Sequence, residues 1–183
     1  MKSLKKLSYN LVIEPDVMLH QSSQHLKSVD DEARALMDDM LIMCHHYRGI
    51  GIAGVQVGIP KRIVVIDIDY YSGGRLNEQC HGGQPLFLVN PEIISHSSDT
   101  NKYNEGCLSV PELHVNVTRP ASVVVRFLDY YGREQSLEAT GILATCLQHE
   151  IDHLEGITIF DRASQLKKAM YLKRIKKIMG SSH

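Results

Sequence analysis

Apolar positions in this chain form three helical stripes, and a long block of strand-like runs separates the first from the other two. Ala33, Leu36, Met37, Met40, Leu41 and Cys44 recur at three- and four-residue intervals behind the acidic start Asp30-Asp31-Glu32. That spacing predicts a helix ending before Gly49. The runs 62–68, 86–89, 113–117 and 122–128 read as strands, and Asp129-Tyr130-Tyr131-Gly132 turns the last of them into 133–138 as a hairpin. Ile142, Cys146, His149 and His153 then follow i, i+4, i+7, i+11, with Leu143, Leu147, Glu150 and Leu154 on the adjoining stripe. Thr140 is the expected N-cap of this second helix and Gly156 its C′ residue. The apolar run 157–160 reads as one more strand, and 73–84 as an exposed loop. Tyr171, Leu172, Ile175, Ile178 and Met179 share one face of a last helix whose other face carries Lys173, Arg174, Lys176 and Lys177. Short strands around a central helix, without βαβ alternation, predict an α+β fold.

Composition narrows the picture. With 183 residues, 43% of them hydrophobic, the chain can fill one well-packed domain over 1–183 but not two. A formal charge of −1 gives no global reason to expect nucleic acid. No apolar run approaches the roughly 20 residues of a membrane span. None of signal-peptide length follows Lys2, Lys5 and Lys6, which read as a solvated tail. The four cysteines form no C-x-x-C pair, which fits a reducing cytoplasm. Residues 163–183 hold six Lys or Arg and no acid, a basic amphipathic tail whose plainest role is a surface helix docked by its apolar side.

Chemistry concentrates in Gln148-His149-Glu150-Ile151-Asp152-His153. Histidines at i and i+4 on one helix face can reach a common ion while the Glu between them stays free as a proton carrier. The alternative is an amphipathic helix with two half-buried imidazoles. A catalytic centre needs a third ligand, and none stands downstream: Ile159 occupies the position where a metzincin carries His, and no Glu follows Glu155. The donor is therefore expected upstream. Cys44 and Cys146 fall on apolar helix faces and Cys80 in the Gly-rich loop. Cys107 lies in Glu105-Gly106-Cys107-Leu108-Ser109-Val110-Pro111, between a Gly and a Pro that fix an irregular turn, and is the preferred ligand over a buried structural thiol. A four-ligand structural site would take Cys146 as its fourth donor, and a peptidase would need a ligand this chain does not show. Gly49, Gly51 and Gly54 spell G-x-G-x-x-G, but a helix precedes and a strand follows, the reverse of a dinucleotide site, so no dinucleotide is expected. These glycines read instead as a loop that lets backbone approach a ligand. Asp152 is expected either to face solvent or to pair with Arg119, an ion pair whose loss would lower stability with kinetics nearly intact.

Three segments together resemble the peptide deformylases: Gly49-Ile50-Gly51-Ile52-Ala53-Gly54-Val55-Gln56, Glu105-Gly106-Cys107-Leu108-Ser109, and Gln148-His149-Glu150-Ile151-Asp152-His153. They stand in the family's order, with one departure, Gly54 where the family usually has Ala. The resemblance implies antiparallel sheets packed about the H-E-x-x-H helix, with a C-terminal helix, and removal of the N-formyl group from the initiator methionine of nascent polypeptides. It implies one divalent ion on Cys107, His149 and His153, Fe(II) in the family, with Zn or Ni possible in a purified sample. Glu150 would move the proton, and the Gln56 amide and Leu108 backbone N–H would steady the formyl oxygen. Ile50 and Gly51 would hold the peptide backbone, Ile50, Ile142 and Cys146 would line the methionine pocket or equally serve the core, and Glu105 would tie down the Cys107 loop. A contact between the basic C-terminal helix and the ribosome is also implied.

Overall fold

The computed structural model describes residues 7–68 and 84–180. Expectations for Lys2, Lys5, Lys6, the 73–84 loop up to residue 83 with Cys80, and the side chains of Ile178 and Met179 lie outside the described residues. Seven strands, β1 (Gly51–Ala53), β2 (Ile63–Ile66), β3 (Leu86–His96), β4 (Thr100–Cys107), β5 (Val110–Pro120), β6 (Ser122–Leu128) and β7 (Glu134–Thr140), accompany helices α1 (Asp31–His46), α2 (Gly141–Leu154) and α3 (Gln165–Gly180). The larger sheet runs β1-β2-β3-β6-β7, and β4 pairs with β5 in a second one. Every pairing between these strands is antiparallel. This is the α+β arrangement expected.

All four residues of β2 are buried because both faces are covered. Val64 and Ile66 pack toward α2 with Ala144, Leu147, Ile151 and Leu154, whereas Ile63 and Val65 pack toward α1 with Met37, Met40 and Met43. A strand clad on two sides needs no polar alternation, which is why its sequence reads as a continuous apolar run. A third cluster joins Leu113, Val115 and Val117 of β5 to Ile159, Tyr171 and Ile175. The C-terminal helix thus docks by its apolar side, and its Lys173, Arg174, Lys176 and Lys177 are exposed. Among the described residues no helix is long and apolar enough to cross a membrane.

The helix ends follow capping chemistry. Asp30 caps α1 by accepting from Ala33 N–H at 2.8 Å, beside Asp31 and Glu32 in the first turn. Thr140 occupies the N-cap of α2 in extended backbone, although its hydroxyl makes no capping bond. At the far end, Gly156 at φ 74° donates to His153 O, and Ile157 N–H reaches back to Asp152 O. These two bonds make a Schellman turn. A Cβ on Gly156 would also lie 2.6 Å from His20 O. The same turn closes α1, where Arg48 N–H bonds His45 O and Gly49 N–H bonds Cys44 O, but its left-handed residue is Arg48 at φ 61°.

Two expectations change. Residues 157–160 are not a strand: Thr158 N–H and hydroxyl both donate to Asp161 Oδ2, and this side-chain-closed turn drops Ile159 into the third cluster. The Gly49–Gln56 stretch is more than a loop, since Gly51–Ala53 pairs with Val64–Ile66 as the edge strand β1 before a 3₁₀ turn, Gly54–Val57.

Candidate metal centre

Helix α2 and the β4–β5 hairpin meet at one point. Ligand atoms of Cys107, His149 and His153 all lie within 4.8 Å of one another, and Cys107 Sγ is 3.2 Å from His153 Nε2. Helical spacing brings the two imidazoles together, with ring centroids 5.0 Å apart. Cys107 arrives from the other side because the β4–β5 register slips between Glu105 and Cys107, a bulge that re-aims the side chain at the hairpin's end. Cys146 stays out of the cluster. Its buried thiol lies 3.8 Å from Ile50 O, and burial pushes its pKa well above the ordinary value, so it remains a neutral thiol. The four-ligand structural reading loses its fourth donor.

The electrostatics suit a cation. Burial alone would lower the His149 pKa, but Cys107 and Glu105 hold it well above the usual imidazole value. The same groups draw positive charge to this spot, the field a divalent ion would meet. His153 is buried and pushed well below the imidazole range, first by desolvation and then by His149 and Arg119, so it offers a neutral nitrogen. One cysteine sulfur and two imidazole nitrogens, with a carboxylate beside them, fit a catalytic centre.

Glu105 does more than tie a loop. His149 Nδ1 donates to Glu105 Oε2 at 2.9 Å, which aims the opposite ring nitrogen at the cluster. Arg119 grips Glu105 with two bonds, Nε to Oε1 at 2.6 Å and Nη2 to Oε2 at 3.0 Å. Its remaining arm reaches Asp152 Oδ2 at 2.9 Å, and Arg162 approaches the same oxygen at 2.6 Å. Burial would raise the Glu105 pKa, but the hydrogen bonds from His149 and Arg119 outweigh it and bring it down to about 2. The Arg119–Asp152 pair is therefore present, yet it is one link in a chain that ends on the His149 ring. Kinetic indifference to Arg119 is no longer the expectation.

Glu150 faces the cleft from inside. Burial pushes its pKa up to about 7, and Oε2 has no hydrogen-bond partner among the described residues. Its nearest neighbour explains the glycine opposite: a Cβ on Gly51 would lie 2.6 Å from Glu150 Oε1 and 2.8 Å from Cys146 Sγ. Gly51 is small to admit the carboxylate. Gly54, where the family usually has Ala, has no room for the methyl, because a Cβ there would lie 2.6 Å from Ile59 O. Gln56 is oriented by its partners. Its Oε1 accepts from Ala53 N–H at 2.8 Å, so the NH₂ must face the Cys107 loop, where it donates to Ser109 Oγ at 3.0 Å and lies 3.6 Å from Cys107 Sγ.

A cleft of about 350 Å³ opens over these groups, lined by every site residue expected from sequence except His153, which is fully buried beneath it. Ile50, Gly51, Cys146 and Ile142 line it, with Ile142 45% exposed and hence at its edge. The Glu105 carboxylate is committed to Arg119 and His149 rather than open to a ligand. Sequence reasoning missed Arg48, Tyr103, Leu113, His114 and Thr145, which also line the cleft. Thr145 was within reach, since it stands one helical turn from both Ile142 and His149. Tyr103 was not, because it lies on a polar strand that carries no periodic signal.

The profile of the polypeptide deformylase family matches residues 8–169. The chain is 46% identical to the peptide deformylase of Phenylobacterium zucineum, over 91% of this chain and 94% of that one. Identity to the Pelagibacter ubique peptide deformylase is 44%, over 94% and 95%. Its structure is similar to the crystal structure of peptide deformylase from Ehrlichia chaffeensis, with a TM-score of 0.85, 37% identity, and coverage of 94% and 97%.

Proposed function

Since this chain belongs to the peptide deformylase family, metallohydrolases that remove the N-formyl group from nascent polypeptides, we propose a division of labour among its own residues. Cys107, His149 and His153 hold one divalent ion. When bound, that ion polarises water and carbonyl oxygen, and so makes hydrolysis feasible near neutral pH. Glu150 takes the proton from the attacking water and returns it to the departing nitrogen, for which a pKa of about 7 is well matched. The Gln56 NH₂ and the Leu108 backbone N–H donate to the formyl oxygen as negative charge grows there. Backbone of Ile50 and Gly51, where strand β1 begins, pairs with the peptide in an extended pose. Ile142 and Cys146 give the methionine side chain an apolar wall. Residues 1–183 serve as one catalytic unit.

The observation that carries this reading is the buried Glu150 carboxylate, its Oε2 without a hydrogen-bond partner among the described residues, beside a three-donor cluster at the base of a cleft. Formate release from a formyl-Met peptide tests it, with the acetylated peptide and a denatured protein as controls. Only the formyl peptide should turn over; cleavage of the protein would mean a peptidase. The ligand set suits Fe(II), Zn or Ni, and we take Fe(II) as the native ion and the cytoplasm as the location. Anaerobic purification with metal analysis tests the former. Exposed Lys173 and Lys176 on α3 also support a contact with ribosomal RNA. The double change Lys173→Glu and Lys176→Glu should then weaken ribosome cosedimentation at low salt; unchanged binding would reject the contact.

A further inference from the structure

Among the described residues three other than glycine have a positive φ: Arg48 at 61°, Asn90 at 51° and Glu112 at 63°. A side chain with a Cβ is disfavoured there, and two of the three make contacts in return. The Asn90 amide donates to Leu26 O at 2.8 Å and accepts from Leu26 N–H at 2.9 Å. Glu112 pairs with Arg174 of α3. Arg48 does neither: its side chain has no hydrogen bond or ion pair among the described residues. It also occupies the position in the α1 turn that α2 fills with Gly156. A strained residue without an internal partner points to a partner from outside.

Its surroundings say which kind. Arg48 is exposed and lines the cleft, whose acids are already matched or deeply placed. Glu105 is held by Arg119 and His149, Glu112 by Arg174, and Glu150 is buried at the base. Among the described residues Arg48 is therefore an unmatched permanent charge of the mouth; of the other basic residues on the lining, His149 is held by Glu105, and His114 is an imidazole rather than a permanent charge. Going back along the chain from Gly51, which abuts Glu150, to Arg48 leads from the base of the cleft to solvent. Each extended residue covers about 3.3 Å, so a peptide leaving alongside these residues passes Arg48 one or two residues after its first.

We propose that Arg48 is a specificity-determining residue that attracts a carboxylate carried one or two residues beyond the formylated methionine. The proposal rests on the deformylase reading above. It is tested with C-terminally amidated formyl-Met peptides differing only in Asp, Asn or Lys at the second or third residue, in the wild-type enzyme and in Arg48→Gly, Arg48→Lys and Arg48→Glu. Glycine fits the backbone and removes the charge. The wild-type enzyme should favour Asp over Asn by about two- to five-fold in kcat/KM, as suits an exposed ion pair, through KM and less so with added salt. Arg48→Gly should abolish the preference, Arg48→Lys keep part of it, and Arg48→Glu turn it toward Lys. Equal rates for Asp and Asn in the wild-type enzyme, or an unchanged preference in Arg48→Gly, would overturn the proposal. A gain seen only with a free C-terminal acid would overturn it too, since the terminus and not a side chain would then be read. Failure of the deformylase reading looks different: no formate from any peptide, the Asn one included.

Discussion

Helix α2 and the β4–β5 hairpin both contribute to the candidate metal centre, and they do so by opposite means. The helix carries His149, Glu150 and His153 within five consecutive positions, so its backbone alone fixes their relation. The hairpin carries Glu105, Cys107 and Leu108, and their place depends on contacts distant in sequence: Arg119 to Glu105 and Asp152, and Glu105 to His149. One half is built by local geometry and the other by an ion-pair network. Changes to the helix should therefore remove chemistry, whereas changes to the network should loosen the fit between the halves.

The largest separation of the two comes from Glu150→Ala, which touches no ligand. Turnover should fall by roughly 10²–10⁴ with metal content unchanged, as measured by formate release and metal analysis. Loss of metal in this variant would show that the helix half is not independent. Arg119→Ala attacks the network where it is most buried, both Arg119 and Glu105 side chains being 5% exposed. Leaving a buried carboxylate without its partner should cost about 3–5 kcal/mol in denaturant unfolding, and activity should fall with it. Intact activity at that loss of stability would mean that Glu105 aims His149 unaided.

Glu105→Gln is milder, since the amide keeps a hydrogen bond while losing the charge. Metal affinity should drop about 10- to 100-fold by competition with a chelator, as usual for a group that orients a ligand. The carboxylate also implies a pH signature. Its folded pKa, about 2, lies below the ordinary 4.5, so its contribution is complete above 4.5 and is lost as pH falls toward 2. Unfolding free energy should decline over that window in the wild-type protein and less steeply in Glu105→Gln. The smallest effect belongs to Arg162→Ala at the solvent end of the network, where the Arg162 and Asp152 side chains are 36% and 20% exposed. It should cost about 0.2–1 kcal/mol, with formate release little changed.

The same contrast explains what could be read from sequence. Helices α1 and α2, strand β2 and the β6–β7 hairpin carried their own periodicity, and the H-E-x-x-H spacing placed three site residues at once. Cys107 was reached because the turn around it is irregular and no downstream ligand exists. Strand β4 was invisible: its Thr-Asn-Lys-Tyr-Asn-Glu-Gly-Cys is almost wholly polar, and Glu105 is its one buried residue. It is a strand because β5 pairs with it, which no local pattern reports. Residues 157–160 misled for the converse reason, since a turn closed by Thr158 and Asp161 buries Ile159 and leaves Ile157 exposed. Arg119 was matched to Asp152, but its second partner, Glu105, depends on the hairpin register and stayed hidden. Arg48 offered no sign at all, because only the fold shows that it lies in a left-handed turn at the mouth of a cleft.

The most direct test is X-ray absorption at the metal edge of the loaded protein, compared with Cys107→Ala. The account predicts one sulfur and at least two imidazole nitrogens around the ion, with the sulfur contribution gone in the variant. A coordination sphere without sulfur in the wild-type protein, or an unchanged spectrum in Cys107→Ala, would contradict it.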